Sequence, residues 1–413
     1  MKTNSIIKNI EIIGVSSDFV GYGIYNGKKC FVDNTVVGDV VDIQIYKETN
    51  KYYIAKIDKI IKQSQNRTNP QCKYFGVCGG CSLQHINEEY YYNLKRDFTV
   101  NAFKQNNINI NNIPIDIIKV GKGKRRRVAL QYKNGECGFF QNNTNEIVRI
   151  DNCINIKPEI NEIINFLNGK KFTNLKCIDI LSISNDIAIN LIFDGDVKIK
   201  ELQQFNELKD KVLYINYTDK DKKFYIPVFK NGDLQLKLDD INIQLPNDCF
   251  LQATDESQNK MIEIVKNGLL KCKKVVDLYC GIGTYSFPLS KQSRVFAFEG
   301  DKNMVEILKR NNNLNRLNIV ATQRDLFNQP LIIRELNEFD GCAINPPRNG
   351  AENQCKFLAK SNIKKIVYVS CNPMTLTRDL QLFKDNFNIK HIFIIDQFYW
   401  SKHLENIVIL EHK

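Results

Sequence analysis

The 413-residue chain has no run of eighteen apolar residues, which excludes a hydrophobic membrane-spanning helix. It opens without a leader-peptide pattern, so a cytoplasmic protein with no membrane partner is expected. The 13 cysteines are odd in number and scattered, unlike the framework of a small disulfide-stapled secreted domain. No internal repeat or low-complexity linker appears, which argues against a solenoid or tandem array. The length is enough for two or three domains with sizeable cores. The 58 Lys and Arg give a net charge of +12, which suits a polyanionic partner.

One absence is local. Lys274-Val-Val-Asp277-Leu-Tyr-Cys-Gly281-Ile-Gly283-Thr284 reads as an apolar strand running into a glycine turn, with a helical stretch expected over 285–291. A second strand, Val295–Phe298, ends in Glu299, whose carboxylate can accept hydrogen bonds from both hydroxyls of a ribose. A dinucleotide turn would carry a third small residue, Gly or Ala, where this chain has Ser286. Its loss fits a nucleoside cofactor without a pyrophosphate, and S-adenosylmethionine is the common one.

Two further strands end abruptly. Phe339–Ile344 is closed by Asn345-Pro346-Pro347-Arg348, a stiff turn in which two residues lack N–H groups. Ile366–Val369 runs into Ser370-Cys371-Asn372-Pro373, and a helix is expected to begin near Thr375. Taken alone, Cys371 would be a small buried hydrophobe. At the carboxyl end of a strand in a doubly wound sheet, beside a helix N-terminus that favours the thiolate, it becomes a candidate nucleophile.

In combination these residues resemble the RNA uracil-5-methyltransferase family, over nearly the whole chain. Phe250-Leu251-Gln252-Ala253-Thr254 is similar to its Phe-x-Gln segment, and Asp277–Gly283 to its first motif. Asn345-Pro-Pro-Arg348 is similar to its Asp-Pro-Pro-Arg, Ser370–Pro373 to its nucleophile motif, and His403-Leu404-Glu405 to its His-x-Glu. RNA cytosine-5 enzymes carry their nucleophile in a Pro-Cys of the fourth-strand loop, which has no cysteine here.

The resemblance implies Cys371 as nucleophile, Glu405 as base, and cofactor contacts from Gln252, Tyr279, Gly281, Thr284, Glu299, Asp325 and Asn345. A thiolate adding to C6 of uracil creates carbanion character at C5, which can then take a methyl group; a base must afterwards remove the C5 proton. Three positions depart from the pattern. Asn345 replaces the family Asp, and Thr254 and Thr284 stand where many members have Asn. Asn-Pro-Pro is also found in exocyclic-amine methyltransferases, which follow it with an aromatic residue rather than Arg348.

Residues 1–61 read as short strands, with Tyr25-Asn-Gly-Lys28 as a two-residue hairpin signal. A five-stranded OB-type barrel is expected, and it resembles a TRAM domain. Phe19 and Tyr22, with Lys28 and Lys29, could meet RNA, or the two rings could fill the core. Cys72-x5-Cys78-Gly-Gly-Cys81 suits zinc or an iron–sulfur cluster. The resemblance points to a [4Fe-4S] cluster completed by Cys153, with Cys137 as the alternative fourth ligand. Glu88–Asn106 reads as a long helix, and Arg125-Arg126-Arg127 as phosphate contacts feeding a strand.

The expected fold is therefore α/β: a TRAM-like module over 1–61, a central α+β iron–sulfur domain over 62–248, and a Rossmann-like class I methyltransferase domain over 249–413. The expected partner is RNA, with 23S rRNA ahead of transfer RNA because of the barrel and cysteines, and the chain is expected to act as a monomer. A catalytically retired RNA-binding protein is a third reading, supported only by Asn345.

Overall fold

The computed structural model describes residues 6–142, 144–221 and 224–413. They form two compact units. One comprises residues up to Phe98 with Phe139–Val148 and Trp400–Lys402; the other holds the remainder. No helix among the described residues is long and apolar enough to cross a membrane.

The first unit is built on six strands rather than the five expected: Ile6–Glu11, Gly14–Val15, Gly21–Tyr25, Lys28–Val32, Val40–Glu48 and Tyr52–Lys62. In chain order they pair 1-5-6-4-3-2. The Asn26-Gly27 hairpin is present, both residues at positive φ (47° and 75°), as a turn matching the twist of its strands requires. A Cβ on Gly23 would fall 2.4 Å from the Glu11 carbonyl oxygen, so the sheet curls back over its first strand. Ile10, Ile12, Val32, Val41, Ile43 and Ala55 fill the inside.

Phe19 is buried and packs against Phe98 at 5.2 Å between ring centroids, which settles it as a core residue. Tyr22 is half-exposed, with the Lys29 ammonium 4.4 Å from its ring centroid.

The second unit holds a mixed sheet and a larger, mostly parallel one. In the mixed sheet Arg127–Lys133 pairs with Glu136–Phe140 and Leu175–Ile183, and the latter with Asp186–Phe193. Tyr214–Asp219 and Ile226–Lys230 complete that side.

The larger sheet comprises β1 (Ile115–Lys119), β2 (Lys274–Leu278), β3 (Arg294–Glu299), β4 (Ile319–Gln323), β5 (Gly341–Ile344), β6 (Lys365–Ser370), β7 (Phe387–Asp396) and β8 (Glu405–His412). Their order is β4-β3-β2-β5-β6-β8-β7-β1. The five strands from β4 to β6 run parallel, and β8 enters antiparallel to β6. One strand from the expected central segment, β1, thus completes this sheet beside β7.

The chain leaves β2 toward β3 on one side and returns through β5 on the other. That reversal opens a crevice at the carboxyl ends of the strands. The strand interiors explain their own burial: Val275, Val276, Ile344, Val367 and Tyr368 are inaccessible, as in a sheet covered on both faces.

Candidate active site

A cavity of about 520 Å³ occupies this crevice. Gln252, Tyr279, Gly281, Thr284, Glu299, Asp325, Asn345, Cys371 and Glu405 all line it, so every cofactor-binding and catalytic candidate comes to one place. Sheet topology is the reason. Tyr279–Thr284 follow β2, Glu299 ends β3, Asp325 follows β4, Asn345 follows β5 and Cys371 follows β6. Because β8 is antiparallel, its first residue, Glu405, lies at the same edge. The register pairs Ser370 with Asn406, which sets Cys371 and Glu405 next to each other across the two strands.

The glycine turn is strained where it needs to be. Tyr279, Gly281 and Gly283 have φ of +60°, +56° and +92°. A Cβ on Gly283 would lie 2.8 Å from the Phe287 ring, while Gly281 faces open space. The Gly281 N–H donates to Glu299 Oε2 at 2.9 Å, fastening the turn to the end of β3. Asp301 N–H donates to the other Glu299 oxygen at 3.0 Å. A carboxylate has about four lone-pair directions, so each oxygen retains capacity for a ribose hydroxyl.

Ser286 has a definite job at the third-glycine position: its hydroxyl donates to Asp277 Oδ2 at 2.6 Å. Asp277 is wholly buried, and burial lifts its carboxyl to about 7 against the pull of that bond. The helix after the turn is shorter than expected, Ser286–Leu289. Asp325 caps its own loop, accepting the Phe327 N–H at 3.0 Å and the Asn328 side-chain amide at 2.6 Å. Tyr279 and Phe327 form an aromatic wall, 5.4 Å between centroids.

The reacting end is less accommodating to charge than the sequence implies. The helix after Cys371 starts at Pro373, capped by Asn372, whose side chain accepts the Met374 N–H at 3.1 Å. Yet the Cys371 thiol is raised, not lowered: burial and the neighbouring Glu405 outweigh Arg348, which pulls it down. Glu405 is buried and its carboxyl is pushed up to about 8, opposed by the Gln397 amide and Arg348.

Arg348 thus serves both groups. Its carbonyl accepts from Asn372 and Thr375 at 3.3 and 3.1 Å, and its guanidinium meets His403 Nδ1 at 2.9 Å. Phe250, 69% exposed, forms part of the cavity mouth.

Two of the three arginines in the run are committed to internal bonds rather than to phosphate contacts. Arg126 is completely buried. It donates from Nε to the Gln252 carbonyl at 3.0 Å, from Nη1 to Asp255 at 2.5 Å and from Nη2 to Gln258 at 2.7 Å. Arg127 holds the Cys249 carbonyl and Asp248. Both shape the segment that delivers Gln252. A positive run entering a strand gave no sign of this, since the carboxylate and amide partners lie more than 120 positions away.

The metal expectation at Cys72, Cys78, Cys81 and Cys153 gains no geometric support. Among the described residues no group of three or more His, Cys, Asp or Glu side chains is gathered to hold an ion. The four cysteines are half-buried and sit on loops with local bonds: Cys72 N–H to Gln84 at 3.0 Å, and Cys153 N–H to Asn161 at 2.8 Å. The alternative ligand Cys137 is fully buried, its thiol lifted to about 12 by burial, and it is a packing residue.

The model of the tRNA (uracil-5-)-methyltransferase family matches residues 127–413. An uncharacterized RNA methyltransferase of Mesorhizobium japonicum is 33% identical, with 86% of this chain and 88% of that protein aligned. The 23S rRNA (uracil(1939)-C(5))-methyltransferase RlmD of Mannheimia succiniciproducens is 30% identical over 99% of this chain and 97% of its own. Among solved structures, the Pyrococcus abyssi tRNA (uracil-54, C5)-methyltransferase in complex with S-adenosyl-L-homocysteine superposes with a TM-score of 0.79. The match covers 98% of this chain and 99% of that one, at 21% identity, and shows a shared fold.

Proposed function

The chain belongs to the tRNA (uracil-5-)-methyltransferase family, as an S-adenosylmethionine-dependent RNA uracil-C5 methyltransferase, and from that premise we propose that its substrate is a uridine of 23S ribosomal RNA. The support is the full-length likeness to a 23S rRNA enzyme, N-terminal unit included.

In this reading residues 1–61 are a TRAM-like RNA-binding module, 62–248 a central domain, and 249–413 the methyltransferase domain of a cytoplasmic monomer. Glu299 binds the ribose of the methyl donor; Gln252, Tyr279, Gly281, Thr284, Asp325 and Asn345 surround the rest of it. The donor supplies an electrophilic sulfonium methyl.

Cys371 thiolate adds to C6 of the uracil, and the C5–C6 π electrons move onto C5 and O4 as an enolate. C5 then takes the methyl group, and S-adenosylhomocysteine leaves with the bonding electron pair. Glu405, ionised, removes the proton from C5; the C5–C6 double bond re-forms and the C6–S bond breaks. The observation that carries this assignment is the register adjacency of Cys371 and Glu405 at the cavity edge. Arg348 supports it by stabilising negative charge on both groups. Asn345 offers an acceptor oxygen and a donor NH2 where a carboxylate could only accept.

Cys72, Cys78, Cys81 and Cys153 are kept as ligands of a [4Fe-4S] cluster on the family resemblance, since their spacing suits zinc as well, and no step of the reaction passes through it. Anaerobically purified protein should carry about four iron atoms per chain; one zinc and no iron would reject the cluster.

The substrate is tested by mapping 5-methyluridine in ribosomal and transfer RNA from a strain lacking the gene. Loss at one 23S position with transfer RNA unchanged is the expected result. Loss confined to transfer RNA would overturn the substrate. N6-methyladenosine or N2-methylguanosine as the product on purified RNA would overturn the C5 chemistry at this Asn345 site.

A further inference from the structure

Gln397, one residue past the end of β7, is buried and belongs to no motif, yet its amide bonds both Gln252 and Ala253. Its orientation follows from a group that has no choice. The main-chain N–H of Ala253 can only donate, and it meets one Gln397 side-chain atom at 2.8 Å, so that atom is Oε1. The other, Nε2, is then 2.8 Å from the Gln252 amide. Since Nε2 can only donate, the Gln252 atom it meets must be oxygen.

The Gln252 NH2 is therefore left for the cavity, which Gln252 and Tyr285 both line. Two amides in series convert the polarity of one backbone N–H into a hydrogen-bond donor on the cavity wall. The Arg126 Nε, 3.0 Å from the Gln252 carbonyl, fixes the main chain that carries it. Gln397 also stands near the Glu405 carboxyl, two residues past Ile395, which pairs with Glu405 in the register of β7 and β8.

We propose that Gln397 is a positioning residue for methyl transfer, locking the Gln252 amide with its NH2 toward a substrate oxygen. The oxygen is a carbonyl of the uracil or the carboxylate of the methyl donor; each is an acceptor, and the two substrates' KM values tell them apart. Cytosine would present an NH2 in place of O4, so a donor facing that atom would also disfavour it.

The decisive variant is Gln397→Glu. Its carboxylate still accepts the Ala253 N–H but cannot donate to Gln252. Gln252 then turns its NH2 toward residue 397 and its oxygen toward the cavity. Steady-state methylation should show KM for one of the two substrates raised about tenfold or more. The acid limb of the kcat–pH profile should move upward, because a second carboxylate stands beside the base. Cys371, Arg348 and Tyr285 face Glu405 in wild type and variant alike, so the movement reports position 397.

Gln252→Glu, which keeps an acceptor for Gln397 but shows only oxygen to the cavity, should raise the same KM. A Gln397→Glu protein that melts earlier but keeps both KM values and the pH profile would reduce Gln397 to a brace and overturn the proposal. If that variant does not fold, an unchanged KM in Gln252→Glu overturns it instead. Wild-type enzyme making 5-methyluridine in the same assay separates either failure from a failure of the C5 reading.

Discussion

The two units use β-structure in opposite ways. In the N-terminal sheet burial alternates along the strands, most regularly over Val40–Tyr46, so one face is core and the other meets solvent. In the catalytic sheet β5 is buried at every position, and β2 and β6 at all but their first. A sheet covered on both faces has only its edges left for chemistry. Parallel strands put all their carboxyl ends on one such edge, so residues from 279 to 371 meet there, and the antiparallel β8 starts there with Glu405. The N-terminal sheet, antiparallel but for the pairing of Lys28–Val32 with Tyr52–Lys62, gathers no such row of strand ends, and whatever binds it must use the exposed face.

The sharpest test of that contrast strikes the edge. Cys371→Ala should abolish methyl transfer and the covalent complex with RNA carrying 5-fluorouridine at the target, because fluorine at C5 cannot leave as a proton does. Glu405→Gln should slow turnover by roughly 10²–10⁴-fold while retaining a covalent RNA complex, since addition and methylation precede its step. A trapped adduct in Cys371→Ala, or normal turnover in Glu405→Gln, would move the chemistry away from this edge.

A smaller effect is expected where charge is spent on packing. Arg126→Met leaves Gln258 and the Gln252 carbonyl without their arginine donor and Asp255 with Lys157 alone, and should cost about 1–3 kcal/mol in denaturant unfolding. Arg127→Met, partly exposed, should cost less. A stable Arg126→Met protein whose only defect is a weaker salt-dependent RNA affinity would return the arginine run to phosphate binding.

The smallest effect belongs to the exposed face of the N-terminal sheet. Tyr22→Ala should raise KM for RNA about tenfold with kcat unchanged, the loss of one base-stacking platform. No change in KM would mean that the Tyr22–Lys29 face does not touch RNA.

What was legible in the sequence follows the same division. Strand ends were readable because an apolar run stops at a glycine or proline, which is why the loops after β2, β5 and β6 could be named. The hairpin at Asn26-Gly27 was readable because positive φ restricts the residues that fit. Phe19 was not, since an aromatic residue near a turn is equally suited to a core or a surface. Nor was Gln397, whose partners at 252 and 253 lie about 145 positions away.

The sequence by itself determined the chemistry available: a thiol, a carboxylate and a glycine turn, each at the end of an apolar strand, because local backbone constraints are written in Gly, Pro and β-branched residues. Tertiary structure alone decided how those groups behave. Burial beside Glu405 raised the Cys371 thiol that a helix N-terminus was expected to lower, and antiparallel entry of β8 brought Glu405 to it. A distant Asp and two amides turned Arg126 from a phosphate ligand into a buried strut. Hydrogen-bond polarity and desolvation depend on what surrounds a group in space, and only the folded chain supplies those surroundings.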